Sequence, residues 1–381
     1  MGGPSTAGPV AARPRFRHLT SVHEVDDSRI LHRECASLAR AGHDVEVIAG
    51  RPPSGPVDGV RVIGVGTSRN RLDRMTRIAW RLLRAARRDR ADVCHLHDPE
   101  LLWIGVLLKL GGCRVVYDVH EHVPKQIMDK FWIKPWARRV LSLVAQAAEA
   151  ICARIFDAVV AATPAIAKQF PASKTVVVQN FPSAAAARRP LDDAPPFAER
   201  PYAFAYTGGL TEVQGVRQIM AIAAILPREL RGVLAGWFDS ADLEGAVRAS
   251  AGWSRVEYRG GIGPDAVLDL LLGARCGIVV SHPIGNYLES YSTKMFEYMA
   301  CGLPVVCSDF PLWGRIIGEA DCGILADPLD PLAFAAAIEQ LSKDPDEAAR
   351  LGANGRRAVL ERFNWQAEFI KLDELYRRLG C

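Results

Sequence analysis

Short runs rich in β-branched residues, apolar on both sides, recur along the chain: HDVEVIAG, GVRVIGVG, ADVCHLHD, CRVVYDVH, DAVVAAT and TVVVQN, then YAFAYTGG, RGVLAGW, RVEYRGG, CGIVVSH and LPVVCSD. Strands of this kind, separated by stretches of helical periodicity, predict parallel sheets covered by helices on both faces. The runs fall into two series. Between them SAAAARRPLDDAPPFAERP, residues 183–201, is polar and proline-rich and reads as a linker. The last stretch, FNWQAEFIKLDELYRRLG, carries Phe363, Phe369, Leu372, Leu375 and Tyr376 at helical spacing. That pattern predicts a helix that packs back across the first domain.

A length of 381 residues exceeds one ordinary core, so two domains are expected. The pattern predicts an α/β protein: a flexible Pro/Gly/Ala tail over residues 1–13, a Rossmann-like domain over 14–185, a second over 200–360, and a crossover helix over 361–381. Two doubly wound domains facing a central cleft would take ligands beyond the carboxyl ends of their strands, so residues just after strands matter most.

Composition narrows the classes. Apolar residues at 49% and charged residues at 24% exclude a disordered chain, and a net charge of +4 is too mild for a dedicated nucleic-acid binder. The nine cysteines include no C-x-x-C pair, which suggests neither a disulfide framework nor a zinc cage. No signal-peptide core opens the chain, and no 18 apolar residues run without a charge. The expected place is the cytoplasm, with peripheral contact at the inner face of the membrane.

ESYSTKMFEYMACGLPVV, residues 289–306, puts Glu289 and Glu297 eight positions apart. A helix starts near Ser292 or Thr293, either of which can cap it, and stops at Cys301–Gly302. Its N-terminus offers free amides and a partial positive charge to a phosphate, and Lys294 adds a full charge in the same turn. A carboxylate at Glu297 can take two ribose hydroxyls at once. The earlier strand end YTGGLTEVQGVRQIM brings Gly208 and Gly209, which allow backbone to approach a diphosphate closely, and Arg217 as a second cation. Polar residues also follow two strands of the first half, in CHLHDPELL and VVYDVHEHVPKQI. On the first of these His95 and His97 share one face, and His97, Asp98 and Glu100 fall at its far end.

A glutamate, seven residues, a second glutamate and M-A-C-G-L-P-V-V resemble the donor site of retaining family-4 glycosyltransferases of the GT-B fold. The resemblance implies Glu297 on the nucleotide ribose, Glu289 against the donor sugar, and His120 near the anomeric carbon. It further implies base contacts at Gly260, Gly261 and Ile262 in VEYRGGIG, with Ser292 and Thr293 at the phosphate. HLTSVHEVDDSRI resembles a bacterial branch of the acceptor loop, which makes His23, Asp27 and Arg29 acceptor-side candidates together with His97, Asp98 and Glu100. The family usually shows Arg after the first glycine and Lys before the later one; here Gly209 and Gln214 stand there, so Lys294 or Arg217 must compensate.

The resemblance implies sugar transfer with retention from a nucleotide-diphosphate sugar, a UDP-sugar foremost, to a saccharide, a lipid-linked or a small-molecule acceptor. The context expected is glycan or glycoconjugate biosynthesis. No cofactor beyond that co-substrate is expected, and no metal, since the histidines and acids lack a tight ligand spacing such as H-E-x-x-H. Front-face attack and a covalent glycosyl-enzyme both stay open. A sugar-nucleotide 2-epimerase and a non-catalytic sugar-nucleotide-binding partner are the competing readings. KQIMDKFWIKPWARRV, residues 125–140, interleaves cations with Phe131, Trp132 and Trp136 and fits either an anionic membrane surface or an aromatic core stripe.

Overall fold

The computed structural model describes residues 13–23, 27–50, 59–130, 132–189, 191 and 194–381. The expected tail, Arg13 apart, and Phe131 lie outside the described residues. The chain divides into two units, Met1–Gln179 with Phe369–Cys381, and Asn180–Glu368.

In the first unit the strands are β1 (Arg15–Leu19), β2 (Asp44–Ala49), β3 (Val60–Gly64), β4 (Val93–Leu96), β5 (Arg114–Val119), β6 (Ala158–Ala161) and β7 (Thr175–Val177). They form one parallel sheet in the order β3-β2-β1-β4-β5-β6-β7. The second unit holds β8 (Phe204–Thr207), β9 (Gly232–Ala235), β10 (Val256–Tyr258), β11 (Gly277–Val279), β12 (Val305–Ser308) and β13 (Gly323–Ala326). These too are parallel, in the order β10-β9-β8-β11-β12-β13. Every residue of β4, β6, β8, β9, β11 and β12 is buried, as strands covered by helices on both faces require.

Both sheets reverse their direction of growth once, between β1 and β4 and between β8 and β11. At such points the two flanking loops diverge to opposite faces and leave a crevice at the strand ends. The loops in question carry Thr20–His23, His97–Glu100, Gly208–Gly209 and Ser281–His282. The topology therefore selects which residues can form a site.

Two strands escape the apolar-run pattern. β1 reads RFRHL, yet Arg17 and His18 are buried, and Arg17 is bonded to the Glu46 carboxylate and to the carbonyls of Ala86 and Asp89. The edge strand β13 is the other, only four residues long. The expected linker over residues 183–201 contains a helix, Ala184–Arg188, which Arg356 fastens by donating to the Ala187 carbonyl (2.7 Å). Its described part is folded into the second unit.

The helix Trp365–Arg378 ends the chain. Within the first unit Tyr376 meets the Phe16 ring edge-on at 4.7 Å, and its hydroxyl is hydrogen-bonded to His95 Nδ1 at 2.5 Å. Among the described residues no helix is long and apolar enough to cross a membrane.

One acid sits where the fold disfavours its charge. Glu149, on the helix Pro135–Ile155, is buried and accepts a hydrogen bond from the Tyr117 hydroxyl (2.9 Å). Burial pushes its pKa up to about 7 against the partial relief from Tyr117. An unfolded chain ionises this group near pH 4.5, so its folded-state contribution is lost as pH rises from there to about 7. Glu149→Gln should therefore raise stability by roughly 2–3 kcal/mol at pH 8 and change it little at pH 4.5, read from denaturant midpoints at the two pH values.

Candidate functional site

In the second unit the site is assembled at the end of β8. Gly208 adopts φ +121° and Gly236, after the adjacent β9, φ +145°. A Cβ on Gly236 would stand 1.8 Å from the Gly208 carbonyl oxygen, so the two loops approach more closely than any side chain allows. The Gly208 amide donates to Ala235 (2.9 Å) and that of Gly236 to Gly260 (2.8 Å), which brings the turn after β10 into the same group. Ile262, beyond it, packs half-buried against the core.

The helix Thr293–Ala300 is clamped to these strand ends. Tyr298 lies buried against Gly277, and its hydroxyl accepts from the Thr207 amide (2.9 Å). Ser292 stands at the N-cap position, but its side chain makes no capping bond. Lys294, in the first turn, reaches back to Gly208: a Cβ built there would meet its side chain at 3.3–3.5 Å. Its ammonium donates to Gln214 Oε1 (2.7 Å) and lies 5.4 Å over the Tyr206 ring. The Tyr206 hydroxyl lies 2.7 Å from the same Gln214 oxygen and 2.7 Å from the Gly209 carbonyl, and its one proton is available to either acceptor. Burial brings the Lys294 pKa down to about 8, against the attraction of Glu297.

Glu297 follows one turn later, half-buried, and Glu289 ends the exposed turn Gly285–Glu289. That turn is held by Trp313, whose indole donates to the Ser290 carbonyl (2.8 Å). Arg217 does not join Lys294; it is exposed and pairs with Glu212 at 2.6 Å. Of the two cations the sequence offered as compensation for Gly209 and Gln214, the fold brings Lys294 to the glycines.

The first unit gathers its candidates at the ends of β1, β4 and β5. Asp98 accepts from Thr20 Oγ1 (2.9 Å) and from the Ser21 and Val22 amides (2.5 and 3.2 Å), which fixes the loop after β1. Glu100 accepts from Ser21 and from Arg74, 2.6 Å each. Along that loop His23 stands with Nδ1 3.4 Å from Asp27 and Nε2 3.6 Å from Asp98, its ring 4.7 Å from that of His120. Burial disfavours its proton, but Asp27 and Asp98 outweigh that and hold the His23 pKa above its ordinary value. Asp27 also caps the helical segment Ser28–Cys35 by accepting from the Arg29 and Ile30 amides.

Arg29, placed on the acceptor side by its position in D-S-R-I, is buried. Its guanidinium donates in a fork to Asp118 (3.1 and 2.9 Å), donates to the Val178 carbonyl (2.9 Å) and lies 3.0 Å from Glu34. Asp118 Oδ2 also meets His120 Nε2 at 3.0 Å and His97 Nδ1 at 3.3 Å, and His97 Nε2 meets His18 Nδ1 at 2.9 Å. Desolvation works against the Asp118 charge, yet Arg29 and His120 keep its pKa well below the usual range. Burial and the neighbouring Asp118 push the Glu34 pKa well above the usual carboxylate range, and burial pushes those of His18 and His95 well below the ordinary imidazole value. Of the candidates on this side, His23 and His120 are the ones with exposed ring surface; His97 and Arg29 lie beneath them.

Glu34, His95, His97 and Asp118 bring donor atoms of metal-ligand type within 4.8 Å of one another, a convergence that sequence spacing could not reveal. The cation lying against both carboxylates is Arg29. Removing it would leave Asp118 buried and uncompensated. We expect Arg29→Met to cost roughly 3–5 kcal/mol, with Arg29→Lys recovering only part because an ammonium cannot make the fork, both measured by urea unfolding.

Comparison with known proteins places two family models on the chain, the glycosyl transferase 4-like domain over residues 28–181 and glycosyl transferases group 1 over residues 188–358. Glycogen synthase of Mycobacterium tuberculosis is 25% identical over 395 aligned positions, covering 91% of this chain and 90% of that one. Several other curated relatives align over only 22–24% of their own length. Among solved structures, sucrose-phosphate synthase from Thermosynechococcus elongatus superposes with a TM-score of 0.75 at 21% identity, over 97% of this chain and 99% of that one. The Anabaena protein HepE in complex with UDP-glucose gives 0.71 at 15%, over 96% and 99%.

Proposed function

The chain belongs to the glycosyltransferases built from a glycosyl transferase 4-like domain and a glycosyl transferases group 1 domain, with the GT-B fold, and from that premise we propose that it transfers a sugar from a UDP-sugar to an acceptor hydroxyl with retention of configuration. The observation that carries the donor half is Lys294: a cation held by Gln214 beside Gly208 and Gly209, in a chain without the usual Arg and Lys at positions 209 and 214. The UDP-glucose bound by the Anabaena neighbour supports uracil as the base. Base contacts are assigned to Gly260, Gly261 and Ile262, the ribose to Glu297, and the donor sugar to Glu289.

In the proposed reaction the bond between the anomeric carbon and the β-phosphate oxygen breaks as the acceptor oxygen bonds to that carbon. The departing diphosphate takes up the acceptor's proton. The charge it gains is met by Lys294, by the amides at Ser292 and Thr293 and by those at Gly208 and Gly209; fixed dipoles and charges of this sort need no reorganisation during the step. No metal is assigned a part. His120 is proposed beside the anomeric carbon, and His23, Asp98 and Asp27 as the acceptor-facing group. The product is a glycoside in glycan or glycoconjugate assembly, its acceptor a saccharide, a lipid-linked or a small molecule.

Titration calorimetry and a product screen against UDP-, GDP- and dTDP-sugars test this reading. UDP-sugars should bind and turn over, and Glu297→Ala should weaken binding by about 10- to 100-fold, the loss of one charge-assisted pair of hydrogen bonds. Turnover with GDP-sugars alone would replace the donor assignment, and binding without any turnover would leave a non-catalytic nucleotide-sugar binder.

The Lys294 ammonium carries its charge below its pKa of about 8 and loses it above. Wild-type affinity for UDP should therefore fall as pH rises through about 8 and beyond, displaced upward to the extent that bound diphosphate favours the proton. Lys294→Gln should bind weakly at every pH and show no such fall.

A further inference from the structure

The helix Pro135–Ile155 is about 31 Å long and turns one face inward, with Glu149, Cys152 and Ala153 buried. On the opposite face Trp136 is 67% exposed, Val140 52%, Leu143 64%, Val144 60% and Ile151 58%. Residues 136, 140, 143, 144, 147 and 151 share a stripe roughly 100° wide, the width by which an amphipathic helix ordinarily buries itself in a core. Here that stripe faces outward over four turns. An exposed apolar surface of this extent marks a binding surface, and the contact expected through residues 125–140 is only its leading end.

Charge decides between the occupants. The helix's one acid is Glu149, on the buried side. Arg139 borders the stripe near its start and Arg154 lies in its last turn, while Lys130 and Lys134 precede the helix. Arg71 and Arg74 lie close by: burial and these two cations hold the Lys130 pKa below its ordinary value. A second copy seated stripe on stripe would set arginine against arginine in either orientation, with no exposed acid on the helix to answer. Anionic lipid headgroups do answer those charges, and Trp132, 64% exposed, and Trp136 suit the boundary between headgroups and acyl chains.

We propose that this face of Pro135–Ile155, with the cations at its ends, docks the protein flat on the surface of an anionic lipid bilayer. The apolar stripe enters the headgroup boundary and the arginines and lysines hold lipid phosphates. The surface belongs to the first unit, to which the proposed function assigns the acceptor, and favours an acceptor carried on lipid. It uses none of the donor residues, so it stands or falls apart from the donor reading.

The test is flotation of the full chain with vesicles of phosphatidylcholine alone and with about 30 mol% phosphatidylglycerol added, at rising salt. Binding should require the anionic lipid, weaken with salt, and fall at least about tenfold in Val140→Asp/Leu143→Asp, whose exposed positions leave the thermal midpoint unchanged. Arg139→Gln and Arg154→Gln should each cost about fivefold. UDP affinity, measured on the same samples, should not move. Failure to float, equal binding to neutral vesicles, or undiminished binding by the double variant would overturn the proposal. So would a wild-type dimer that Val140→Asp/Leu143→Asp converts to monomer, because a second copy would then cover the face.

Discussion

The buried guanidinium of Arg29 is the pivot of the first unit. It ties the segment after β1 to Asp118 on β5 and to the Val178 carbonyl just after β7. Three chain segments that are remote in sequence converge on one planar cation, which pairs with Asp118 and holds its pKa down beside His97 and His120, while Glu34 lies 3.0 Å from the same guanidinium. The imidazoles above it are positioned by this pairing and not by loop packing alone. His95 and His97 stack closely there, at 4.8 Å and 6°, and burial disfavours the proton on both. A site that presents His23 and His120 on its rim is thus built on a charge network that never meets solvent.

The second unit reaches a comparable end by different means. Its site rests on backbone approach: Gly236 against Gly208, with Tyr298 filling the space over Gly277. Where an arginine and a lysine would ordinarily provide charge from the β8 loop, this chain sends Lys294 back from the neighbouring helix onto the same glycines. Gln214 then serves as the acceptor that aims the ammonium, and the Tyr206 hydroxyl meets the same amide oxygen. Charge moved from one element to another has been kept at one place in space. Its partial burial is also what makes the ammonium lose its proton more easily than a surface lysine would.

Much of the two-sheet architecture was legible in the chain because strands buried on both faces must be written in continuous apolar residues. β1 and the edge strand β13 were the exceptions. In β1, Arg17 and His18 satisfy themselves against Glu46 and His97, partners 29 and 79 residues away, and no local pattern reports such distances. Lys294 could be placed in the first turn of its helix from spacing alone, but the Gln214 contact spans 80 residues. Arg217 shows the converse: its surface partner Glu212 lies five residues away, and local spacing left its role undecided. Glu34, His18 and Asp118 went unmarked for the same reason as β1, since a buried polar residue is recognised only by what it meets.

The contact between Tyr376 and His95 spans 281 residues. A ribosome delivers the whole of the second unit between these two partners. Until the final helix leaves the exit tunnel, Phe16 and the outer imidazole of the histidine stack lack their cover. The first unit, begun earliest, is therefore the later of the two to be completed, and a nascent chain halted between Glu368 and Tyr376 carries an unfinished first unit in front of a second one whose residues are all made.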